Sequence, residues 1–281
     1  MCRFVAYLGQ NPIILDEIID KPKNSLTNQS RYAKEALSGI NADGFGIGWY
    51  DHSIDDKPGL FKSIQPAWND QNLHHLSSKI RSRCLVGHVR DTTVGDVSLF
   101  NCHPFSHNQF LFAHNGTITG FEKIKRKLQA SLSDKAFDII HGQTDSENFF
   151  ALVMDIFLKN FADRNTANLF QSIRMAITLL QELQPEPEAI KLNSVLTDGK
   201  QLIATRYTSD NNEKALSLYY ALGDDIAQPE DSEPTPEHSA QAVLIASEPL
   251  TDRAQIWKKV PDNHALIVDP TFHITLQEIS I

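Results

Sequence analysis

The chain has 281 residues, 41% of them hydrophobic and 22% charged, and 26 basic against 35 acidic side chains leave a formal net charge of −9. Those proportions exclude a disordered, collagenous or coiled-coil chain, and a chain this long closes a core without a disulfide or metal staple. The acidic balance removes any general pull towards nucleic acid or an anionic membrane, and no apolar run reaches the roughly 18 residues that span a bilayer.

Arg3 to Leu8 is apolar and β-prone. A strand starting almost at the first residue places the N-terminus inside the fold. This apolar stretch is short, carries one charge and is interrupted by Asn11-Pro12, so it does not read as a secretory signal. The cysteines are Cys2, Cys84 and Cys102, an odd and sparse set for a disulfide scaffold. A reducing, cytoplasmic compartment is expected.

Phe45 to Tyr50 reads as a strand entered from the turn at Asn41-Ala42-Asp43-Gly44, and Gly59 to Ile64 pairs with it. Asn72 to Arg81 reads as a helix, with His74-His75 on its surface. Cys84 to Val89 and Gln109 to His114 read as strands, the second followed by a sharp turn at Asn115-Gly116. Thr144-Asp145-Ser146-Glu147 has capping-box spacing, and Phe149, Leu152, Val153, Ile156 and Phe157 follow on one helical face. A second helix spans Thr166 to Leu183 and stops before Pro185.

Strands are then expected at Leu192–Leu196, Leu202–Tyr207, Leu216–Leu222, Ala242–Ala246, Ala265–Val268 and Phe272–Ile279, the first two joined at Asp198-Gly199. Asp224 to Ala240, rich in carboxylates and proline, reads as a solvated loop. Strands, then helices, then strands predict an α+β fold with mainly antiparallel sheets.

Five groups of residues carry candidate chemistry, each beside an ordinary alternative. Methionine aminopeptidase removes Met1 when residue 2 is small. Cys2 would then carry a thiol and a free α-amine of pKa about 7.7–8.0, able to take a proton near neutrality. Otherwise Cys2 is a small apolar residue near a terminus. Cys84, His88, Cys102, His103 and His107 are a cluster of metal-ligand types, but they show only part of a structural zinc pattern. Arg90, ending an apolar strand, suits bidentate grip of a carboxylate or a structural salt bridge. Asn115-Gly116 is either a turn or an amide side chain beside a backbone N–H, which together make an oxyanion hole. Asp145 either complements a helix dipole or binds a ligand ammonium.

Together these residues resemble one family, the class II glutamine amidotransferases of the N-terminal nucleophile hydrolase superfamily. The resemblance is carried in order by Met1-Cys2-Arg3-Phe4, Asn41-Ala42-Asp43-Gly44-Phe45-Gly46, Gly87-His88-Val89-Arg90, Asn101-Cys102-His103-Pro104-Phe105, His114-Asn115-Gly116 and Thr144-Asp145-Ser146-Glu147. More loosely, Ser247-Glu248-Pro249-Leu250-Thr251 is similar to stand-alone members. Pro66 to Leu73, Asn101 to Phe105 and Ile124 to Leu128 resemble the amidotransferase-like subunit of the fungal glutathione-degrading complex. Met1 to Phe4 and Asn41 to Gly46 resemble ergothioneine-pathway amidases.

The resemblance implies a four-layer αββα sandwich with two mainly antiparallel sheets between helices, one domain spanning residues 2–281, and no metal or other cofactor. It implies Cys2 as nucleophile, with Asn115 and Gly116 as oxyanion donors. Arg90 would hold the α-carboxylate and Asp145 the α-ammonium of a γ-glutamyl group, with His103 shaping the site and Asp43 and Gly44 lining it. The substrate would be a small γ-glutamyl amide, glutamine or a peptide such as glutathione, with a separate peptidase or synthase subunit as a partner and neither nucleic acid nor membrane involved. One departure stands out. Sugar-synthesising members have Trp after the motif arginine and His three positions further on, where this chain has Asp91 and Val94. That favours a different γ-glutamyl substrate. A non-catalytic regulatory subunit with the same fold is the alternative from another class.

Overall fold

The computed structural model describes residues 2–35, 40–92, 94–210, 212–226 and 241–281. Two sheets, every strand pair antiparallel, form its centre. The first contains β1 (Arg3–Ile14), β2 (Phe45–Trp49), β3 (Gly59–Ser63), β4 (Arg81–Val89), β9 (Tyr219–Leu222), β10 (Ala242–Ala246) and β11 (Lys258–Lys259). Their order is β11-β9-β10-β1-β4-β2-β3. The second contains β5 (Phe105–His107), β6 (Phe110–Ile118), β7 (Ile190–Thr197), β8 (Leu202–Thr208), β12 (His264–Val268) and β13 (Ile274–Glu278), in the order β13-β12-β8-β7-β6-β5.

Side-chain alternation along the strands builds the layers. On β1, Phe4, Ala6 and Leu8 join Val86 of β4 and Leu111 and Ala113 of β6 in a core between the sheets. Val5 and Tyr7 point the other way, into a core with Ile18 and Ile19 of α1 (Asp16–Ile19), Leu26 of α2 (Leu26–Arg31) and Leu73 of α3 (Gln71–Ser77). The outer face of the second sheet is covered by α4 (Phe121–Ser131), α6 (Asp145–Asn160) and α7 (Thr166–Leu183). The short α5 (Asp134–Phe137) and α8 (Gly223–Ile226) complete the α-helices among the described residues. The layers run helix, sheet, sheet, helix, the expected αββα arrangement.

A strand sandwiched this way is buried on both faces, which is why β1 reads as a nearly continuous apolar run. On α7, Leu169, Phe170, Ile173, Ala176, Ile177 and Leu180 keep helical spacing on the buried side, and the Asn165 side chain caps the helix at the Asn168 N–H.

Several expectations shift. Asn115-Gly116 is not a turn: both residues lie inside β6, paired with Asn193 and Leu192 of β7. Asn-Gly favours a turn only locally, and here the flanking ladder overrides it. β1 continues past Asn11-Pro12 to Ile14 with a register shift between Leu8 and Ile13, the kind of irregularity that accommodates proline in a strand. The helix predicted over 72–81 ends at Ser77, because Arg81 already belongs to β4. The strands predicted over 216–222 and 272–279 begin later, at Tyr219 and Ile274. Of the acidic stretch, Gly223–Ile226 includes its first residues as helix, and 227–240 lie outside the described residues. No described helix is long and apolar enough to cross a membrane.

Candidate active site

Alternation along the strands also places the site. Cys2 continues β1 on the side of Phe4, and Arg90 continues β4 on the side of Val86 and His88. Asn115 follows Leu111 and Ala113 on the inner side of β6. All three side chains are therefore directed between the sheets, at the end where β1 begins.

Cys2 lies against the segment leaving β4. Its Sγ is 3.4 Å from the Asp91 carbonyl oxygen and 3.4 Å from the Asp91 N–H. Burial pushes the Cys2 thiol up, while the Asp91 N–H and the Arg90 charge pull it down. The strand behind it is clamped. The fully buried Arg3 donates through Nε to Glu248 at 2.8 Å and through Nη1 to the Cys2 carbonyl at 3.1 Å. Glu248 also accepts the Lys34 and Glu35 N–H groups, each at 2.9 Å. Ser247 Oγ accepts the Phe4 N–H at 3.0 Å, and the Ser247 N–H donates to the Phe4 carbonyl at 3.0 Å. Sequence reasoning missed Arg3 as an anchor. An arginine inside an apolar strand needs a buried partner, and that was the available signal.

Arg90 is buried, and its guanidinium donates to the carbonyls of Val94, Gly95 and Asp96 at 3.0, 3.4 and 3.0 Å. All three acceptors are neutral, and no carboxylate among the described residues pairs with this cation. Asn101 extends the arrangement, donating to the Asp96 carbonyl at 2.8 Å and accepting the Gln143 N–H at 2.8 Å. Asp43 accepts the Thr92 N–H at 2.7 Å, tying the loop before β2 to the segment after Arg90. Gly44 has φ +110°, and a Cβ there would lie 2.7 Å from Cys102 Sγ, so only glycine fits.

The Asn115 side-chain amide nitrogen is buried and has no hydrogen-bond partner. Such a donor is costly to leave unmade. Gly116 stands beside it. The Ile118 N–H donates to Asp145 Oδ2 at 2.9 Å, and the His88 ring meets the His114 carbonyl at 3.2 Å. Both contacts lie off the β7 side of the strand. Strand parity therefore points the Gly116 N–H the same way, off the edge of β6 beyond the reach of β5.

Asp145 opens α6 and is buried. Oδ2 takes the Ile118 N–H, and Oδ1 takes the Ser146 N–H at 2.8 Å. The Ser146 hydroxyl bonds His114 Nδ1 at 2.8 Å, and His114 Nε2 meets the Lys191 carbonyl at 2.9 Å. This chain fixes the backbone immediately before Asn115. Thr144 caps α6 as expected, accepting the Glu147 N–H at 3.2 Å, but Glu147 turns to the His141 and Gly142 N–H groups instead of that of Thr144.

His103 stacks on His88 with ring centroids 4.1 Å apart and touches Phe105 at 4.5 Å. Both of its nitrogens are buried without partners. Burial depresses His88 to about 3 and His103 well below its usual range, so both rings are neutral. Cys84 and His88 are four residues apart on one strand, about 13 Å along it, so that pair does not share an ion. Among the described residues no three His, Cys, Asp or Glu side chains converge to hold a metal.

A family model for class II glutamine amidotransferases matches residues 21–270. The chain belongs to that family, whose members are cysteine-dependent amidotransferases and hydrolases. It is 34% identical to the probable glutamine amidotransferase DUG3 of Saccharomyces cerevisiae, over 95% of this chain and 82% of that protein. It is 25% identical to a gamma-glutamyl-hercynylcysteine sulfoxide hydrolase of Mycolicibacterium smegmatis, over 95% and 96%. A solved glutamine aminotransferase class-II domain protein from Silicibacter pomeroyi has the same fold, with a TM-score of 0.68 over 100% of both chains at 24% identity.

Proposed function

We propose that the chain hydrolyses a γ-glutamyl amide, glutamine or a γ-glutamyl peptide such as glutathione, through a thioester on Cys2. With Met1 removed, the Cys2 α-amine takes the thiol proton, directly or through a water, and Sγ attacks the γ-carbonyl carbon. The oxyanion is held by the Asn115 amide and the Gly116 N–H. The leaving amine takes the proton as the C–N bond breaks, and water then releases glutamate and the free thiol. Arg90, whose charge meets only neutral carbonyls, accepts the α-carboxylate. Asp145, with lone pairs beyond those occupied by backbone N–H groups, accepts the α-ammonium. Asp43 and Gly44 wall the pocket, and His103 shapes it as a neutral ring.

The observation that carries this proposal is the Asn115 amide: a buried donor without a partner, on the same inter-sheet side as Cys2. A relative named for a γ-glutamyl substrate supports the substrate class. The test is glutamate release by the Met1-processed chain from glutamine and from glutathione, with Cys2→Ala as the blank. Release from either substrate that disappears in Cys2→Ala is expected. Equal release by the variant overturns the proposal. A preference for glutathione assigns the Cys-Gly product to a separate peptidase subunit, and a preference for glutamine assigns ammonia to a separate synthase.

A further inference from the structure

Outside the site, a cavity of about 410 Å³ opens where the edge strands β3 and β5 of the two sheets come together. Its walls are Leu60, Phe100, Phe105 and Ile139, and two charged side chains of opposite sign, Lys62 and Glu147, also line it. Lys62 is half-buried, and its ammonium lies 5.3 Å from the Phe105 ring centroid with no hydrogen bond or salt bridge among the described residues. Burial pushes its ammonium down, while Cys102 and Glu147 pull it up. Glu147 is almost fully buried and meets only the two backbone N–H groups of His141 and Gly142, so each oxygen keeps lone-pair capacity. Phe100 is 61% exposed at the mouth.

We propose that this cavity is a second small-molecule site, binding a zwitterionic α-amino acid or dipeptide with an apolar side chain: carboxylate to Lys62, ammonium to Glu147, side chain against Phe100, Phe105 and Ile139. Burial raises the Glu147 carboxyl as it lowers the Lys62 ammonium, so each charge gains from a ligand group of opposite sign, and a zwitterion supplies both. The site is linked to the one between the sheets. Phe100 precedes Asn101, which holds the Asp96 carbonyl and the Gln143 N–H, and Asp96 is itself held by Arg90. Occupancy therefore braces the segment that Arg90 holds. The inference goes beyond the proposed hydrolysis and does not depend on Cys2.

The test uses the full chain carrying Cys2→Ala, with saturating L-glutamate occupying any γ-glutamyl site. L-Phenylalanine is titrated by calorimetry, and N-acetyl-L-phenylalanine, which lacks the ammonium, is the control. L-Phenylalanine is expected to bind and the acetylated form to bind at least about tenfold more weakly. Lys62→Met, which keeps the stem length, is expected to lose L-phenylalanine by about tenfold or more, and Lys62→Arg to retain it. Equal binding of the two probes, no binding of L-phenylalanine, or unchanged binding in a folded Lys62→Met chain overturns the proposal. If Lys62→Met does not fold, the two probes and Lys62→Arg still decide it.

Discussion

Asn115 concentrates the physics of the site in one amide. Its donor is buried and unsatisfied in the resting fold, a destabilising arrangement that the proposed oxyanion role would put to use. Two opposite effects follow from one substitution. Asn115→Leu is expected to leave stability unchanged or raise it, because it removes an unpaired polar group at similar volume. The same variant is expected to lose kcat by about 10²–10³, the usual worth of one oxyanion donor. Denaturant midpoints and steady-state kinetics on the same preparation check both. A variant that loses stability but keeps kcat assigns Asn115 to structure alone. Residue types at this scale were legible only jointly: Cys2, Arg90, Asn115 and Asp145 each have an ordinary alternative, and their occurrence together in ordered motifs singles them out. What was not legible was the state of Asn115. Local Asn-Gly chemistry favours a turn, and only pairing with β7 makes the segment a strand with a directed edge.

At the scale of elements, the start of β1 is held by a segment more than 240 residues away. Arg3 and Glu248 form a buried ion pair, and Glu248 also gathers two N–H groups from the chain after α2. Breaking such a pair on one side leaves an uncompensated charge. Glu248→Ala is expected to cost about 3–5 kcal/mol in a urea unfolding experiment. An unchanged midpoint means the clamp does not hold the strand. A second consequence concerns pH. Burial holds His88 at about 3, against about 6.5 in the unfolded chain. The unfolded state therefore binds a proton the fold refuses, so stability rises with pH across that window. The contribution is complete above about pH 6.5 and is lost progressively as pH falls towards 3. Unfolding midpoints are expected to drop between about pH 7 and about pH 5, less steeply in His88→Gln. Equal slopes in both chains contradict the assignment. The elements themselves were partly legible. Strands buried on both faces and α6 and α7 announce themselves as apolar runs or 3.6-residue stripes. The helix α4 was overlooked: only Phe121, Ile124 and Leu128 of its eleven residues are buried, in a charged stretch that masks the stripe.

For the whole molecule, the layering fixes where Cys2 stands. A sandwich of two sheets buries β1 on both faces, and the flanking strands β4 and β10 fix it by backbone pairing on either side. Cys2 is thus held between the sheets by the strand it precedes. The proposed mechanism makes a demand the fold itself does not: the α-amine must belong to Cys2. A chain that retains Met1 is expected to unfold at the same midpoint as the processed chain but to release no glutamate, with intact mass measured beside activity. Retained activity in the unprocessed chain excludes the amine as base. The most direct measurement uses a glutamine analogue carrying an electrophilic diazoketone in place of the amide, followed by peptide mass spectrometry. Burial raises all three thiols, Cys84 to about 12, but only Cys2 is partly exposed, whereas Cys84 and Cys102 are buried. Modification at Cys2 alone, prevented by excess glutamine or glutathione, is the predicted result. Modification at Cys84 or Cys102 with Cys2 untouched, or labelling that neither glutamine nor glutathione suppresses, would contradict a γ-glutamyl site built around Cys2.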